Sequence, residues 1–287
     1  MRNIEQETRF ILNKYNIKAN KSLGQNFLIS QNVVDTIVNS SEIQKEDLVI
    51  EIGPGLGTLT QSLLEKAGKV ICIELDPKMV TILEDRFKLF DNFELYNQDV
   101  LKVDLKGLIE KEKKDGKIKN VKIVANLPYY ITTPIIMKLL EEELDLDTIT
   151  VMIQKEVADR LVAVPGSKNT GAITYSVYYY AEATSILEVP HDCFIPEPEV
   201  TSEIIQLKIR ENPLVEIENK EKMFNIIKSA FMQRRKTLLN SLTNAKVFSN
   251  KEEGIEILER IGLDANVRAE KLTLQDFANI TMNVPSK

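Results

Sequence analysis

The sequence predicts an α/β fold in which a doubly wound sheet is followed by a small all-α domain. Up to about residue 210, short apolar runs rich in β-branched residues alternate with amphipathic segments of helical period. This alternation is typical of a mostly parallel sheet with helices on both faces. After residues 211–213, Glu-Asn-Pro, only helical patterns follow. We therefore predict a sheet domain over residues 1–210 and a helical domain over residues 211–287.

Composition limits the class of protein before any motif is considered. The chain has 287 residues, 43% of them hydrophobic, which suffices for a packed core in one large or two modest domains. Its two cysteines, Cys72 and Cys193, suggest no disulfide framework, and this favours a reducing cytosol. The sequence shows no signal-peptide pattern, no apolar run of membrane-spanning length and a single histidine, His191. We expect a cytoplasmic protein with no membrane contact and no metal.

The first elements predicted are a weak helix and a turn. Apolar residues recur with helical spacing over residues 3–16, and residues 21–28 then read Lys-Ser-Leu-Gly-Gln-Asn-Phe-Leu. Gly24 allows a tight bend, Asn26 offers a side-chain amide, and Leu28 offers an apolar cover. By spacing alone, this stretch is most simply a turn before a helix that starts near residue 31.

A glycine loop follows the first strand of the sheet. Residues 48–52 are predicted as a strand, residues 53–57 read Gly-Pro-Gly-Leu-Gly, and an amphipathic helix begins after them. Glycines at Gly53 and Gly55 let a ligand approach the backbone closely. Their spacing differs from the nicotinamide fingerprint, and no Lys-Ser/Thr pair follows as in a P-loop. With the acid at Glu51 before the glycines, the pattern is similar to S-adenosylmethionine-binding loops.

The next two strands both end in acids. Glu74 lies in the strand predicted over residues 70–76, 74 − 53 = 21 positions beyond Gly53, the distance at which a second-strand carboxylate meets ribose hydroxyls. A surface acid is the simpler alternative for Glu74. The third strand, predicted over residues 93–99, ends in Asp99, which can accept a hydrogen bond from an adenine amino group. Three carboxylates around one cleft would also suit a sulfonium cation.

The central strand ends in Asn-Leu-Pro-Tyr. A charged stretch over residues 106–120 is predicted as an exposed loop, and an apolar run then leads to Asn126, Leu127, Pro128 and Tyr129. Asn126 Oδ1 and the carbonyl of Leu127 or Pro128 can each accept an N–H from an exocyclic amine, while Tyr129 stacks on the base. This set suits methylation of a base amine by positioning and electrostatics. An ordinary turn with a core tyrosine is the alternative.

The remaining elements continue the alternation of strand and helix. In order, they are a helix capped by Thr132-Thr133-Pro134, a strand over 148–153, a helix from 154, a helix over 172–177, and strands over 183–189 and 202–209. A stiff loop with two prolines lies between the last two strands. Its Phe194 either stacks on a flipped base opposite Tyr129 or anchors the loop in the core, and the sequence leaves both open.

Charge is unevenly distributed along the chain. The net charge of −6 argues against nucleic acid, but residues 222–251 contain seven basic residues and no acidic one. Residues 8–34 contain four basic residues, again without an acid. A basic surface on an acidic protein indicates that a polyanion docks on one face. A solvated helix face is the alternative.

Several blocks of the sequence resemble the universal small-subunit rRNA adenine N6,N6-dimethyltransferase family. Asn-Leu-Pro-Tyr at residues 126–129 is similar to the family's catalytic motif, and the resemblance extends from Lys21 nearly to the C-terminus. The other blocks follow in the family's order: Gly-Gln-Asn-Phe-Leu at 24–28, Glu-Ile-Gly-Pro-Gly-Leu-Gly at 51–57, Gln-Lys-Glu-Val-Ala-Asp-Arg-Leu at 154–161, Phe-Met-Gln-Arg-Arg-Lys-Thr-Leu at 231–238 and Arg-Ala-Glu-Lys-Leu at 268–272.

The resemblance implies a Rossmann-like class I S-adenosylmethionine methyltransferase sheet with a small C-terminal all-α domain. The residues that it assigns to the methyl donor, S-adenosyl-L-methionine, are Asn26, Leu28, Gly53, Gly55, Glu74, Asp99 and Asn126. With the residue analysis, it gives a catalytic set of Asn126, Leu127, Pro128, Tyr129 and Phe194. A separate basic helical domain would grip rRNA phosphates, and the residues expected to do so are Arg234, Arg235 and Lys236.

The substrate implied by the resemblance is the small ribosomal subunit during its maturation. The family transfers four methyl groups to two adjacent adenosines in a hairpin loop near the 3′ end of 16S rRNA, and we expect a monomer. One loop departs from the family, with Glu199 and Thr201 where Lys and Asp are usual. This departure leaves the contacts of those two positions open.

Two other functions compete with this one. Macrolide-resistance dimethyltransferases of 23S rRNA are similar in the catalytic domain but usually read Asn-Ile-Pro-Tyr, so Leu127 favours the small-subunit enzyme. A non-catalytic assembly or transcription factor could keep the fold as a binding module. The intact Asn-Leu-Pro-Tyr and glycine loop argue against that alternative.

Overall fold

The computed structural model describes residues 3–20, 24–233 and 235–285. The chain forms two compact units, Met1–Ala158 with Ala183–Ile209, and Asp159–Glu182 with Arg210–Lys287. The second unit therefore also contains Asp159–Glu182, which the division made from sequence placed in the first domain. The first is called the sheet unit below, and the second the helical unit.

The sheet unit alternates strands and helices as the sequence predicts. Its elements are α1 (Ile4–Lys14), β1 (Phe27–Leu28), α2 (Gln31–Ser40), β2 (Asp47–Ile52), α3 (Thr58–Lys66), β3 (Lys69–Glu74), α4 (Pro77–Phe87), β4 (Phe93–Asn97), α5 (Leu105–Lys113), β5 (Asn120–Asn126), α6 (Thr132–Glu141), β6 (Thr148–Gln154), α7 (Lys155–Leu161), β7 (Ala181–Val189), β8 (Phe194–Ile195) and β9 (Ser202–Ile209). The last helix, α7, and the strand β7 each cross a boundary between the units.

Seven strands form one sheet in the order β4-β3-β2-β5-β6-β9-β7. Strands β2 to β6 are parallel to their neighbours, and β9 is antiparallel to β6. All six residues of β2 are buried, as are six of the seven in β6, because helices cover both faces. The chain runs outward from β2 through β3 to β4 and returns beside β2 as β5. This reversal is a topological switch point, and open α/β sheets bind ligands at the carboxyl ends of strands there.

Two local predictions are corrected by the structure. Within residues 106–120, predicted as an exposed loop, most of α5 forms instead. Asp104 caps it by accepting from the N–H of Gly107, and Leu105, Leu108 and Ile109 are buried. Helix α6 begins at Thr132 as predicted, but no side chain caps it; the Thr132 hydroxyl donates to the Pro128 carbonyl at 3.0 Å.

The helical unit contains α8 (Ala172–Tyr180), α9 (Lys220–Phe231), α10 (Leu238–Asn244), α11 (Lys251–Arg260) and α12 (Leu274–Asn283). Tyr175 on α8 is fully buried in the core of this unit and stacks edge-on against Phe277. Its hydroxyl donates to the carbonyl of Leu272 at 2.6 Å. These contacts explain why Asp159–Glu182 belongs with the C-terminal helices.

No helix in the described part of the chain has the length and apolar character needed to cross a membrane.

Candidate active site

A cleft lies at the carboxyl ends of β2, β3 and β5, where the strand order reverses. It has a volume of about 1080 Å3, including open solvent at its mouth. Of the candidate site residues in the sheet unit, those that line the cleft are Asn26, Leu28, Gly53, Gly55, Glu74, Asp99, Asn126, Leu127, Pro128 and Tyr129. The structure thus brings together segments that are up to about 100 residues apart in sequence.

The glycine loop lies directly beside the Asn-Leu-Pro-Tyr segment. Gly53 has φ = +66°, a left-handed conformation that a side chain would strain, and its N–H donates to the Ile73 carbonyl at 2.9 Å. A Cβ at Gly53 would lie 3.6 Å from Cδ of Pro128. Glycine at this position therefore permits the tight turn after β2, where the glycine loop meets the Asn-Leu-Pro-Tyr segment.

The Glu74 carboxylate is fixed by backbone donors. Its Oε2 accepts from the N–H of Gly55 at 3.1 Å, and its Oε1 accepts from the N–H of Asp76 at 2.8 Å. The side chain is mostly buried, and burial raises its pKa while these two hydrogen bonds lower it. The end of β3 is consequently tied to the glycine loop.

Glu51 precedes the glycine loop in the sequence pattern, but the sequence alone predicted no individual role for it. It lines the cleft, is 2% exposed, and accepts through Oε2 from the hydroxyl of Thr60 at 2.6 Å. Burial raises the pKa of Glu51 to about 8, and the neighbouring Glu74 adds to the rise. Its position directly before the glycines was the only feature of the sequence that indicated a place in the site.

Asp99 begins the short turn that follows β4. Its Oδ1 accepts from the N–H of Leu101 at 3.0 Å, and Lys102 Nζ lies 4.0 Å from Oδ2. Residues on both sides of Asp99, Gln98 and Val100, also line the cleft. The position next to an apolar wall agrees with a role toward a heterocyclic base.

The N-terminal arm, here residues 24–28, forms one wall of the cleft. Gln25 Nε2 donates to Asp76 Oδ2 at 2.8 Å, and Asn126 Nδ2 donates to the Asn26 carbonyl at 3.5 Å. Phe27 and Leu28 form β1, which pairs with β8 in a separate two-stranded sheet. Gly24 lies in a turn and α2 begins at Gln31, as spacing predicts, and residues 24–28 also line the cleft.

Residues 126–128, at the end of β5, leave two oxygen acceptors available. Leu127 is buried, and its N–H donates to the Met152 carbonyl at 3.1 Å. The Pro128 carbonyl accepts from Ile131 N and from Thr132 Oγ1. No hydrogen bond from a described residue reaches the Leu127 carbonyl or Asn126 Oδ1. Of the two carbonyls that the sequence left open, that of Leu127 is thus the available one.

The two aromatic candidates have different surroundings. Tyr129 is half-buried, its hydroxyl lies 2.6 Å from Ser202 Oγ, and burial raises its pKa. Phe194 is 1% exposed, pairs with Leu28 across the β1–β8 ladder, and lies in the hydrophobic core. It is not among the described residues that line the cleft. Of the two roles that the sequence left open for Phe194, this burial favours the one in which it anchors its loop in the core.

The basic residues of the helical unit separate into two kinds. Arg235 and Lys236 are exposed in the turn between α9 and α10, while Arg234 lies outside the described residues. Lys222, which belongs to the same basic run, instead donates from Nζ to the carbonyls of Thr281 and Val284 at 2.9 and 2.6 Å. It satisfies carbonyls at the end of α12, so it is a structural residue.

The charge of the cleft fits a cationic ligand. Glu51, Glu74 and Asp99 all line it, and none of the described lining residues is basic. Because burial raises the pKa of Glu51 to about 8, its carboxyl is mostly neutral at pH 7. The Glu74 and Asp99 carboxylates attract a positively charged ligand and repel a phosphorylated one. The donor set therefore fits the sulfonium of S-adenosylmethionine, with apolar side chains such as Leu56 and Val100 beside it.

Comparison with known proteins decides the family. The sequence model described as Ribosomal RNA adenine dimethylase matches residues 16–284. The chain belongs to this family. It is 47% identical to the Ribosomal RNA small subunit methyltransferase A of Alkaliphilus metalliredigens, over 98% of this chain and 97% of that protein. It is 46% identical to the protein of the same name from Bacillus pumilus, over 96% and 94%.

Solved structures agree with this rRNA adenine dimethylase fold. A dimethyladenosine transferase from Plasmodium falciparum superposes with a TM-score of 0.73 at 27% identity, covering 88% of this chain and 95% of that chain. The 23S rRNA methyltransferase ErmE superposes with a TM-score of 0.67 at 22% identity, covering 90% and 99%. The second similarity shows the fold alone. The Rossmann-like class I methyltransferase fold predicted from sequence is confirmed.

As an rRNA adenine dimethylase, the chain is an enzyme that methylates adenine in rRNA and uses S-adenosyl-L-methionine as the methyl donor. When bound, the donor supplies an electrophilic methyl group on a sulfonium centre. The family resemblance predicted from sequence is confirmed, and the non-catalytic alternative is not supported.

Proposed function

We propose that this enzyme dimethylates N6 of two adjacent adenosines in a hairpin loop near the 3′ end of 16S rRNA, within the maturing small ribosomal subunit. The observation that carries this proposal is the near full-length similarity to proteins named Ribosomal RNA small subunit methyltransferase A, at 45–47% identity. Leu127 in the Asn-Leu-Pro-Tyr segment agrees with it. In this proposal, the enzyme acts as a monomer in the cytoplasm.

Asn126, Leu127 and Tyr129 prepare the target amine in this proposal. The lone pair of an adenine N6 is delocalised into the ring, so the amine is a poor nucleophile. Asn126 Oδ1 and the Leu127 carbonyl each accept one N6 hydrogen, which turns the lone pair out of conjugation. Pro128 shapes the turn, and Tyr129 fixes the plane of the base by stacking. Catalysis is then positioning and electrostatics. The N6–CH3 bond forms as the S–CH3 bond of the donor breaks, and the methylated N6, which is then cationic and acidic, releases one proton to water, so no strong base is required.

The walls of the cleft hold the methyl donor. We assign its binding to Asn26 and Leu28 of the arm, Gly53 and Gly55 of the glycine loop, and the strand-end residues Glu74, Asp99 and Asn126. The backbone donors that fix Glu74 leave its remaining lone pairs for ribose hydroxyls. Because methyl transfer removes the charge of the sulfonium, the carboxylates hold the product less tightly than the donor.

The C-terminal helices provide the grip on rRNA in this proposal. Residues 211–287 act as the rRNA-binding domain, together with Asp159–Glu182, which shares their core. Arg235 and Lys236 are exposed and suited to phosphate contacts, and Arg234 is assigned to the same group from its sequence position. These contacts fix the orientation of the substrate without reading its sequence.

Methylation of purified particles tests the proposal. The protein is incubated with labelled methyl donor and with undermethylated small or large ribosomal subunits, and the modified nucleotides are located by mass spectrometry. We expect label only in the small subunit, as dimethyladenosine at two adjacent positions. Label only in the large subunit would instead make this a 23S rRNA enzyme. Asn126→Ala should abolish transfer while small-subunit binding is retained, and full activity in that variant would remove Asn126 from the mechanism.

A further inference from the structure

Consecutive tyrosines after Pro128 are held very differently. Tyr129 and Tyr130 belong to one short 3-10 turn, and both line the cleft. The hydroxyl of Tyr129 is 2.6 Å from the buried Ser202 Oγ, so its ring is fixed from behind. The side chain of Tyr130 is 55% exposed, at the mouth of the same cleft. Tyr130 is therefore an exposed aromatic ring of the site that the assignment of the target base to Tyr129 does not use.

The backbone of the N-terminal arm supports the Tyr130 ring. Gly24 has φ = +61°, and a Cβ built on it would lie 3.4 Å from Cδ1 of Tyr130 and 3.7 Å from N of Tyr129. The absence of a side chain at Gly24 lets the arm approach the ring edge closely. Tyr130 is thus held at the rim by the arm while much of its surface stays open to solvent.

The charge of the cleft restricts how RNA can be held at this rim. None of the described residues that line the cleft is basic, so these lining residues offer a phosphate no cationic side chain. An enzyme that acts on a base must also take that base out of its stack, which uncovers a face of the neighbouring base. Aromatic side chains bind such uncovered faces by stacking, with little dependence on base identity.

We propose that Tyr130 is a stacking platform for an unpaired nucleobase that neighbours the adenosine being methylated. The proposal rests on the proposed function, in which the target lies in a single-stranded hairpin loop. Tyr129 then holds the target base and Tyr130 the adjacent base of the same strand. Since the ring makes this contact, the phenol hydroxyl contributes little to it.

Substitution of Tyr130 gives a direct test. Tyr130→Ala should raise KM for the subunit roughly tenfold, within the range that alanine substitution of stacking side chains produces. At saturating subunit kcat should change little, and the Kd of the methyl donor, measured with the protein alone, should stay the same. Tyr130→Phe keeps the ring and should behave as the wild type. Leu89→Ala, which removes an 87% exposed side chain outside the cleft, is the matched control.

Removal of the base itself provides the second half of the test. Subunits are reconstituted with an abasic nucleotide on either side of one target adenosine, and only the methylation of that remaining adenosine is measured. At one of the two positions, the abasic subunit should be a poorer substrate for the wild type by the factor that Tyr130→Ala causes. With that abasic subunit, Tyr130→Ala should methylate the target as well as the wild type does. The proposal is overturned if the losses from the abasic nucleotide and from Tyr130→Ala add together. It is also overturned if KM is unchanged in Tyr130→Ala, or if Tyr130→Phe is as defective as Tyr130→Ala.

The result that would refute the proposed function differs from the results that would refute the role of Tyr130. The wild type is first assayed on both ribosomal subunits, and the Tyr130 comparison uses the particle that it methylates. A wild type that labels only the large subunit refutes the small-subunit assignment, while the stacking role is still decided by the variants on that particle.

Discussion

At the scale of single residues, the hydrogen bond between Tyr129 and Ser202 connects the Asn126 loop to the first residue of β9. Ser202 is fully buried and lies opposite Gln154 in the β6–β9 ladder. The carbonyl of the preceding Thr201 accepts from the N–H of Lys155 at 3.0 Å. The proline-rich loop before β9 therefore ends in a rigid support, and we propose that Ser202 positions the Tyr129 ring, which stacks on the base in the proposed function.

We expect Ser202→Ala to lower kcat about fivefold, because one hydrogen bond contributes roughly 1 kcal/mol to holding the ring. Tyr129→Phe removes the other partner of the same bond and should have a similar effect. The double variant should be no slower than either single variant, because both remove one interaction. Ser202→Thr, which keeps a hydroxyl, should recover part of kcat. A lower melting temperature with unchanged kcat would show that the bond is structural only.

Glu51 makes the stability of the sheet unit depend on pH. Its folded-state pKa of about 8 lies above the ordinary value of 4.5, so the fold favours the neutral carboxyl. This contribution to stability is complete below pH 4.5 and is lost as the pH rises through 8, at about 1.4 kcal/mol for each unit of pKa difference. Glu51→Gln should therefore melt at a higher temperature than the wild type at pH 9, with the difference shrinking toward pH 5.

Thermal melts from pH 5 to pH 9 measure this effect, with the exposed Glu65→Gln as the matched control. The control should follow the wild type throughout. If the melting temperature of Glu51→Gln changes with pH as that of the wild type does, Glu51 ionises in the folded protein as it does in the unfolded chain.

The sequence predicted these residues to different extents. Asn126 and Glu74 were assigned because strand-end positions follow from local periodicity, and parallel strands bring their carboxyl ends to one edge. Phe194 was left open because an aromatic residue after a turn has no local feature that separates stacking from burial. Its core position follows from the pairing of β8 with β1, which is 166 residues away in register. Ser202 was missed for the same reason, since its partner Tyr129 is 73 residues distant.

At the scale of elements, the first helix is linked to the glycine loop through a single arginine. Arg86 on α4 donates to the carbonyl of Leu56, within the glycine loop, and to the carboxylate of Glu7 on α1. Its side chain is 13% exposed. Lys14 and Tyr15, at the end of α1, also bind Asp85 on α4. Helix α1 and the loop that faces the ligand are thus held by the same side of α4.

We expect Arg86→Met to weaken binding of the methyl donor roughly tenfold, because the glycine loop loses a charged hydrogen-bond donor. KM for the donor should rise, and kcat at saturating donor should be retained. Calorimetry of donor binding to the protein alone, with a melting curve for each variant, measures this. Arg9→Met removes an exposed arginine that pairs with Glu5 on the same helix, and it should leave donor affinity unchanged. Equal donor affinity in Arg86→Met and wild type would contradict the link.

Helices and strands were largely predictable because their periodicity is local, but their assignment to a compact unit was not. Helix α8 was predicted over residues 172–177, yet its place in the helical unit depends on the Tyr175 hydroxyl and the Leu272 carbonyl, 97 residues apart. Helix α5 was predicted as a loop because its charged residues outnumber the three buried apolar ones. The burial of Leu105, Leu108 and Ile109, together with the Asp104 cap, outweighs that composition.

At the scale of the whole molecule, the net charge of −6 conceals two regions of opposite character. The cleft of the sheet unit has carboxylates and no basic side chain among its described lining residues. The turn between α9 and α10 in the helical unit exposes Arg235 and Lys236 without an acid nearby in sequence. If the proposed rRNA contacts at this turn are correct, the cationic donor and the polyanionic substrate bind different parts of the chain, and we expect the two kinds of binding to respond differently to salt.

The salt dependence of subunit binding tests this separation. Arg235→Ala combined with Lys236→Ala should weaken binding and reduce the slope of log Kd against log salt by about one for each lost phosphate contact. Lys114→Ala with Lys117→Ala changes the net charge by the same amount at exposed positions of the sheet unit, and is the matched control. If both double variants change the slope equally, net charge alone governs binding; if only the first does, the α9–α10 turn contacts the rRNA backbone. Donor affinity should be unaffected in both, because neither pair lines the cleft.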